Sequence, residues 1–278
     1  MNLEPIQCRS CCRWMTVVTS VCLLLCTAGC GTLPNGRGWG QDAIYPVDLK
    51  RFPHAVKKAL LDPLTYIPAV GALVCAIDDV DEHISDWAST HHPVFGSKRR
   101  ARDASDYLRD TLTAAALSTA IMTPSGNETG EWMLSKARGI GVEAFAWQGS
   151  WLVTQGLKAA TDRTRPDKSD DRSFPSGHAT SAFSAAALAN RNLDAIDMQK
   201  GWRTAFKATH IALASSVAWA RVEGQKHFPS DVLVGAALGH FLTVVIHDTF
   251  MGLGDNSTFS LYIEPAKDGG NVMVSWGF

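Results

Sequence analysis

From about residue 54 onward, apolar residues return mostly every third or fourth position. The stretches are His54–Leu61, Thr65–Ile77, Ala101–Met122, Gly130–Thr161, His178–Asn190, Gly201–Arg221 and Ser230–Phe250. That spacing puts one apolar face on each helix and predicts an all-α body, a helical bundle. Abundant alanine and glycine permit close helix packing, and the apolar runs are interrupted by Glu143, Lys207, His210 and His240. The best candidate for a membrane span, Val232–Ile246, is shorter than the ~20 residues a bilayer requires and carries His240, so it is expected to be a buried core helix. At the carboxyl end the pattern changes. Leu261–Ile263 and Val272–Trp276 flank the turn-forming Lys267-Asp268-Gly269-Gly270-Asn271, which predicts a small β-hairpin resting on the helical body.

The amino end is not patterned like the rest. Arg9 and Arg13 precede an apolar run from Met15 through Leu25, followed by the small residues Thr27, Ala28 and Gly29, the form of a secretory signal. The stretch Leu25-Cys26-Thr27-Ala28-Gly29-Cys30 resembles the bacterial lipobox, in which the cysteine is lipidated and becomes the new terminus; Thr27 stands where leucine is usual. Residues 1–29 are therefore expected to be a signal peptide, Cys30 the lipidation site, 30–44 a flexible tether of glycine-rich composition, 45–250 the helical domain and 251–278 a hairpin extension. Loss of the signal removes five cysteines and leaves Cys30 for lipid and Cys75 alone, so no internal disulfide is expected. A cell-envelope, periplasm-facing lipoprotein of the bacterial outer membrane follows.

The chain is 278 residues long with a formal net charge of -1. Its basic residues are scattered, so the electrostatic footprint that nucleic-acid binding needs is absent. Candidate chemistry lies in three segments. The first, Lys158 to Pro166, places Lys158 at the end of a long helix and Arg165 before a proline that holds it extended. The second, Phe174-Pro175-Ser176-Gly177-His178, opens a helix whose unpaired N–H groups and dipole make an anion site. There Ser176 can cap the helix and also donate to an anion, and Gly177 admits close backbone approach. It lacks the second flanking glycine of a serine-hydrolase elbow. In the third, Arg221 to Asp231, a four-residue spacing brings Asp231 back toward His227; the pair is either a satisfied cap or a carboxylate that fixes an imidazole tautomer for attack.

In order and spacing, K-x6-R-P, P-S-G-H and R-x5-H-x3-D, these segments resemble the signature of the type 2 phosphatidic acid phosphatase (PAP2) superfamily, whose members include lipid phosphatases, nonspecific acid phosphatases and vanadium haloperoxidases. The resemblance covers Lys158 to Asp231. It implies a helical fold of the acid phosphatase type and a phosphatase that needs no cofactor and no metal. It further implies that Lys158, Arg165 and Arg221, with Ser176 and the Gly177 N–H, bind phosphate oxygens, that His227 is the nucleophile oriented by Asp231, and that His178 is the acid and base. The substrate it implies is a phosphorylated lipid or small phosphate ester. A soluble-substrate acid phosphatase is the alternative, and a vanadate-dependent haloperoxidase a further one. Elsewhere, Asp78 to His83 has no EF-hand spacing and is expected to end a helix at the surface. Glu143 and His240 are expected to be hydrogen-bonded core groups. Asp170, Asp171 and Arg172 form a loop expected at the site entrance.

Overall fold

The computed structural model describes residues 29–43 and 51–252, and the backbone of 259–266 and 269–276. Eight helices are found there: α1 Arg51–Leu60, α2 Pro63–Cys75, α3 Val80–His91, α4 Lys98–Met122, α5 Thr129–Thr161, α6 Gly177–Ala195, α7 Lys200–Glu223 and α8 Pro229–Met251. Residues 1–28 of the expected signal peptide and the start of the fold near Tyr45 lie outside the described residues. Two strands, Phe259–Ala266 and Gly269–Trp276, pair antiparallel with Phe259 opposite Trp276. Their side chains and their packing on the body are outside what is described.

The bundle is centred on α6, which packs against α4, α5, α7 and α8. Its alanines make this possible: Ala179, Ala182, Ala185, Ala186 and Ala189 are all buried, alongside Leu112, Ala146, Val217 and Ala236 from the neighbours. The α6–α8 crossing is closer still. A Cβ at Gly239 would lie 2.3 Å from the Thr180 carbonyl oxygen and one at Gly235 would lie 2.6 Å from that of Ser176, so only glycine allows the two backbones to meet. Ser176 N–H then donates to the Asp231 carbonyl at 2.9 Å, and the starts of both helices are locked side by side.

Among the described residues one helix, α8, is long and apolar enough to cross a membrane, and most of it is buried in the body, as expected for a core helix. By contrast α2 turns Tyr66, Ile67, Val70, Leu73 and Val74 outward.

Two expectations are corrected. The tether is docked rather than free: Trp39 is 0% exposed, and its ring occupies the place a Cβ on Gly139 would take, 2.1 Å away. Lys136 lies 5.1 Å from that ring while its Nζ donates to the carbonyls of Ala120, Ile121 and Thr123 at the end of α4. Trp132 Nε1 donates to the Gly29 carbonyl at 2.8 Å. Burying one indole outweighs the flexibility that the surrounding glycines suggest. Second, Asp78 to His83 opens a helix instead of ending one. Asp81, in the first turn of α3, is buried because a cation 82 residues further along pairs with it.

Candidate active site

Four helix termini meet at one end of the bundle. The last turn of α5 carries Lys158, α6 begins at Gly177, the last turn of α7 carries Arg221, and α8 begins at Pro229. Ser176 is the N-cap of α6, its Oγ accepting from Ala179 N–H at 3.4 Å. The Cβ that Gly177 lacks would point at Lys158, 3.9 Å from its Cε. The lysine therefore lies against the open first turn of α6, where unpaired N–H groups already favour an anion.

Each cation is held by a protein partner that leaves other N–H groups free. Lys158 Nζ donates to the Arg172 carbonyl at 2.6 Å, Arg165 Nε to Asp170 Oδ1 at 2.6 Å, and Arg221 NH1 to Ser105 Oγ at 3.1 Å. The Nε of Arg221 is buried with no partner among the described residues. Burial, and then repulsion from Arg165, hold Lys158 down at about 8 and Arg221 down at about 10. Arg165 destabilises the charge on both Lys158 and Arg221 around a helix start, a repulsion that a polyvalent oxyanion would relieve.

His227 is 2% exposed. Its Nδ1 lies 2.6 Å from the Ser173 carbonyl oxygen and 3.7 Å from Asp231 Oδ2. The expected bond from the Asp231 carboxylate to the ring is thus replaced: Nδ1–H donates to a backbone carbonyl, which fixes the tautomer and leaves Nε2 unprotonated. Asp231 is drawn elsewhere, Oδ2 accepting from Ser173 Oγ (2.5 Å) and Phe228 N–H (2.9 Å) and Oδ1 from Arg163 (2.8 Å). It acts on His227 as a fixed charge. Burial lowers the proton affinity of His227, reinforced by Arg221 and Lys158 and opposed by Asp231, so the ring is held neutral. Burial pushes Asp231 up, but His227, Ser173 and Arg163 beside it hold the carboxyl below its ordinary value.

His178, in the first turn of α6, faces α4. Its Nε2 lies 2.7 Å from Asp106 Oδ1 and 3.0 Å from Arg109 NH1. One ring nitrogen cannot donate to the first and accept from the second. The shorter contact, with a carboxylate that itself pairs with Arg109 at 3.4 Å, assigns Nε2–H as donor to Asp106. Burial, then Arg221 and Arg109, lower His178 to about 4 against the pull of Asp106. A bound anion beside Arg221 would offset the part of that shift that the arginines cause.

The family model described as "PAP2 superfamily" matches residues 144–254, which contain all three segments. The matched stretch is less than half of the chain, and it is similar to the PAP2 superfamily. It is 34% identical over 89 residues to the lipid A 1-phosphatase of Porphyromonas gingivalis; the match covers 32% of this chain and 18% of that protein. A solved structure, the transmembrane PAP2 type phosphatidylglycerolphosphate phosphatase from Bacillus subtilis, is similar with a TM-score of 0.48 and 20% identity, covering 66% of this chain and 92% of that one.

All eight PAP2 positions named from the sequence lie on the adjoining ends of α5 to α8 and the loops between them; Cys30, the remaining named residue, is exposed at the head of the docked segment. Ser173, Arg163, Asp81, Ser105, Asp106 and Arg109 are the participants that sequence reasoning missed. Two of these, Arg163 and Ser173, stand inside or beside the recognised segments, so their position was a usable signal; the four from α3 and α4 carried none.

Proposed function

We propose that this chain is a metal-independent phosphatase that hydrolyses phosphate monoesters or pyrophosphates of lipids through a phosphohistidine on His227. The observation that carries the proposal is the buried imidazole with Nδ1 tied to the Ser173 carbonyl, close to Lys158 and Arg221, both of which Arg165 repels, at a helix start. The phosphoryl group binds to Lys158, Arg165, Arg221, the Ser176 hydroxyl and the Gly177 N–H. Nε2 of His227 attacks phosphorus as the ester P–O bond breaks, and the leaving oxygen takes the proton of His178. Water then gives a proton to His178 and attacks the same phosphorus, the P–N bond breaks, and phosphate leaves with both histidines restored. The cations stabilise the equatorial oxygens throughout. The substrate's negative charge offsets Arg221 and Arg109 and so raises the proton affinity of His178, which couples proton delivery to binding.

A lipid substrate is supported by the relative named as a lipid A 1-phosphatase and by the outward apolar face of α2, which suits the chain to work against a membrane. Exposed Cys30 at the head of the docked segment suits a lipid anchor, placing the enzyme in the cell envelope with its site outside the cytoplasm. The carboxyl-terminal hairpin is proposed as an extension of the helical domain.

The test is acid-quench trapping with a ³²P-labelled lipid phosphate in the presence of EDTA. Base-stable, acid-labile label on His227 is expected, and His227→Ala should take up none. Label on Ser176, or turnover that EDTA abolishes and a divalent metal restores, overturns the mechanism. Phosphate release from soluble esters with none from lipids would assign the acid phosphatase reading. Labelled fatty acid should enter the wild type and be lost in Cys30→Ser; its absence from wild type removes the anchor.

A further inference from the structure

Behind the His227–Asp231 pair stands a second layer of charge. Arg163 reaches two carboxylates at once, NH1 donating to Asp231 Oδ1 at 2.8 Å and NH2 to Asp81 Oδ2 at 2.8 Å. Its guanidinium carbon lies 4.4 Å from the centre of the Phe228 ring, and NH1 also donates to Ser230 Oγ at 2.8 Å. Both carboxylates are shielded from solvent, with side-chain exposures of 4% for Asp81 and 0% for Asp231. Asp81 accepts from Ser230 N–H at 2.8 Å, in the first turn of α8, and bonds the Ser230 hydroxyl as well. The groups run in a line of alternating charge, Asp81 then Arg163 then Asp231, ending on the imidazole of His227.

We infer that Arg163 and Asp81 are positioning residues that set the charge and aim of Asp231 and, through it, the nucleophile. The inference rests on the phosphohistidine reading and deepens it. Attack by Nε2 places positive charge on the imidazole. In the resting state Asp81, Arg163 and Asp231 together carry one net negative charge, so the developing cation completes the array and leaves no buried excess. Each member has a separate task. Arg163 fixes the carboxylate by a planar fork and keeps it ionised. Asp81 shares the guanidinium and so stops it from cancelling Asp231 altogether. The other charges acting on His227 are Lys158 from α5 and Arg221 from α7, and neither exchanges a hydrogen bond with this array.

Opposite electrostatic consequences follow from removing the two ends. Without Arg163, two carboxylates act on the ring uncompensated, His227 holds its proton more tightly, and the acid limb of the kcat/KM profile should move up by about one pH unit. Without the Asp81 charge, Arg163 neutralises Asp231 and the limb should not rise. Arg163→Ala combined with Asp81→Asn restores the net charge of the array, so its limb should return toward that of the wild type.

The experiment measures phosphate release and ³²P labelling of His227 against pH for Arg163→Ala, Arg163→Lys, Asp81→Asn and the double variant, on full-length protein checked by circular dichroism. In each, kcat should fall about 10- to 100-fold, the loss typical of partners that orient a catalytic ligand, with KM within about twofold because no phosphate-binding group changes. Arg163→Lys keeps the charge without the fork and should show the lowered kcat with an unshifted limb. An Arg163→Ala limb that stays at the wild-type pH, or a double variant whose limb rises further, overturns the inference, because support of the fold alone does not move a titration back. Wild-type protein that turns over with no label on His227 overturns the phosphohistidine reading itself.

Discussion

Replacing Asp231 by asparagine separates the two ways in which a carboxylate can serve a histidine nucleophile. Were Asp231 the group that fixes the tautomer, an amide would present the wrong ring nitrogen and cost about 10⁴-fold in kcat. Here Nδ1–H is already committed to the Ser173 carbonyl at 2.6 Å while Asp231 stands 3.7 Å off. Asparagine should therefore remove a charge and leave the tautomer. Coulomb's law for unit charges 3.7 Å apart, at an effective dielectric of about 20, gives about 4.5 kcal/mol. Arg163, 2.8 Å from the other oxygen, offsets part of this, leaving about 2–4 kcal/mol or about 30- to 1,000-fold in kcat. The assay is single-turnover formation of ³²P-labelled enzyme by rapid acid quench, with Tm measured in parallel because Asp231 also receives the Phe228 N–H that closes the start of α8. Phosphoenzyme should still form, slowly, on His227. A loss of 10⁴-fold or more would show that the carboxylate and not the carbonyl fixes the ring; a loss below about threefold would show that its charge does no work.

Three further outcomes are expected. Lys158 is held down at about 8 in the empty site, so kcat/KM should fall as pH rises through about 8, and Lys158→Arg should lower activity while removing that limb; an unchanged alkaline limb in the arginine variant would assign it to another group. Burial raises Glu143 to about 8 from its ordinary 4.5; a carboxyl whose folded value is raised contributes stability that is lost as pH climbs from about 4.5 to 8, so Glu143→Gln should flatten the fall in Tm over that window, and an equally steep fall in the variant refutes the assignment. Trp39→Ala should cost about 3–5 kcal/mol in urea unfolding, and a loss under about 1 kcal/mol would mean that residues 29–43 are not docked.

The helical bundle was legible because its apolar residues recur at helical spacing over long stretches, and the helix ends that carry the candidate site were legible because the three segments are local and ordered. What escaped was set by distant partners. α3 has few apolar residues and opens on acids, so nothing nearby hinted that Asp81 would be buried; its reason for being inside is Arg163. Trp39 was hidden by composition, since the glycines around it read as slack chain while the one indole among them decided the matter. Ser173 contributes a backbone carbonyl to His227, and a carbonyl has no signature in sequence. The spacing of Asp231 correctly placed it near His227 but could not reveal that Ser173, Phe228 and Arg163 compete for its oxygens.

The stretch recognisable by family, 144–254, is consequently not a portable unit. Val94 and Phe95 donate their N–H groups to buried Glu223, Ser105 holds Arg221, Asp106 holds His178 and Asp81 holds Arg163, and all five come from α3, α4 or the turn between them. A chain trimmed to the motif-bearing half would keep every residue that names the family and lose the groups that aim them. Transplanting the motifs of this chain into a foreign helical scaffold would therefore have to carry α3 and α4 with them, because the partners of Arg163, His178 and Arg221 come from there.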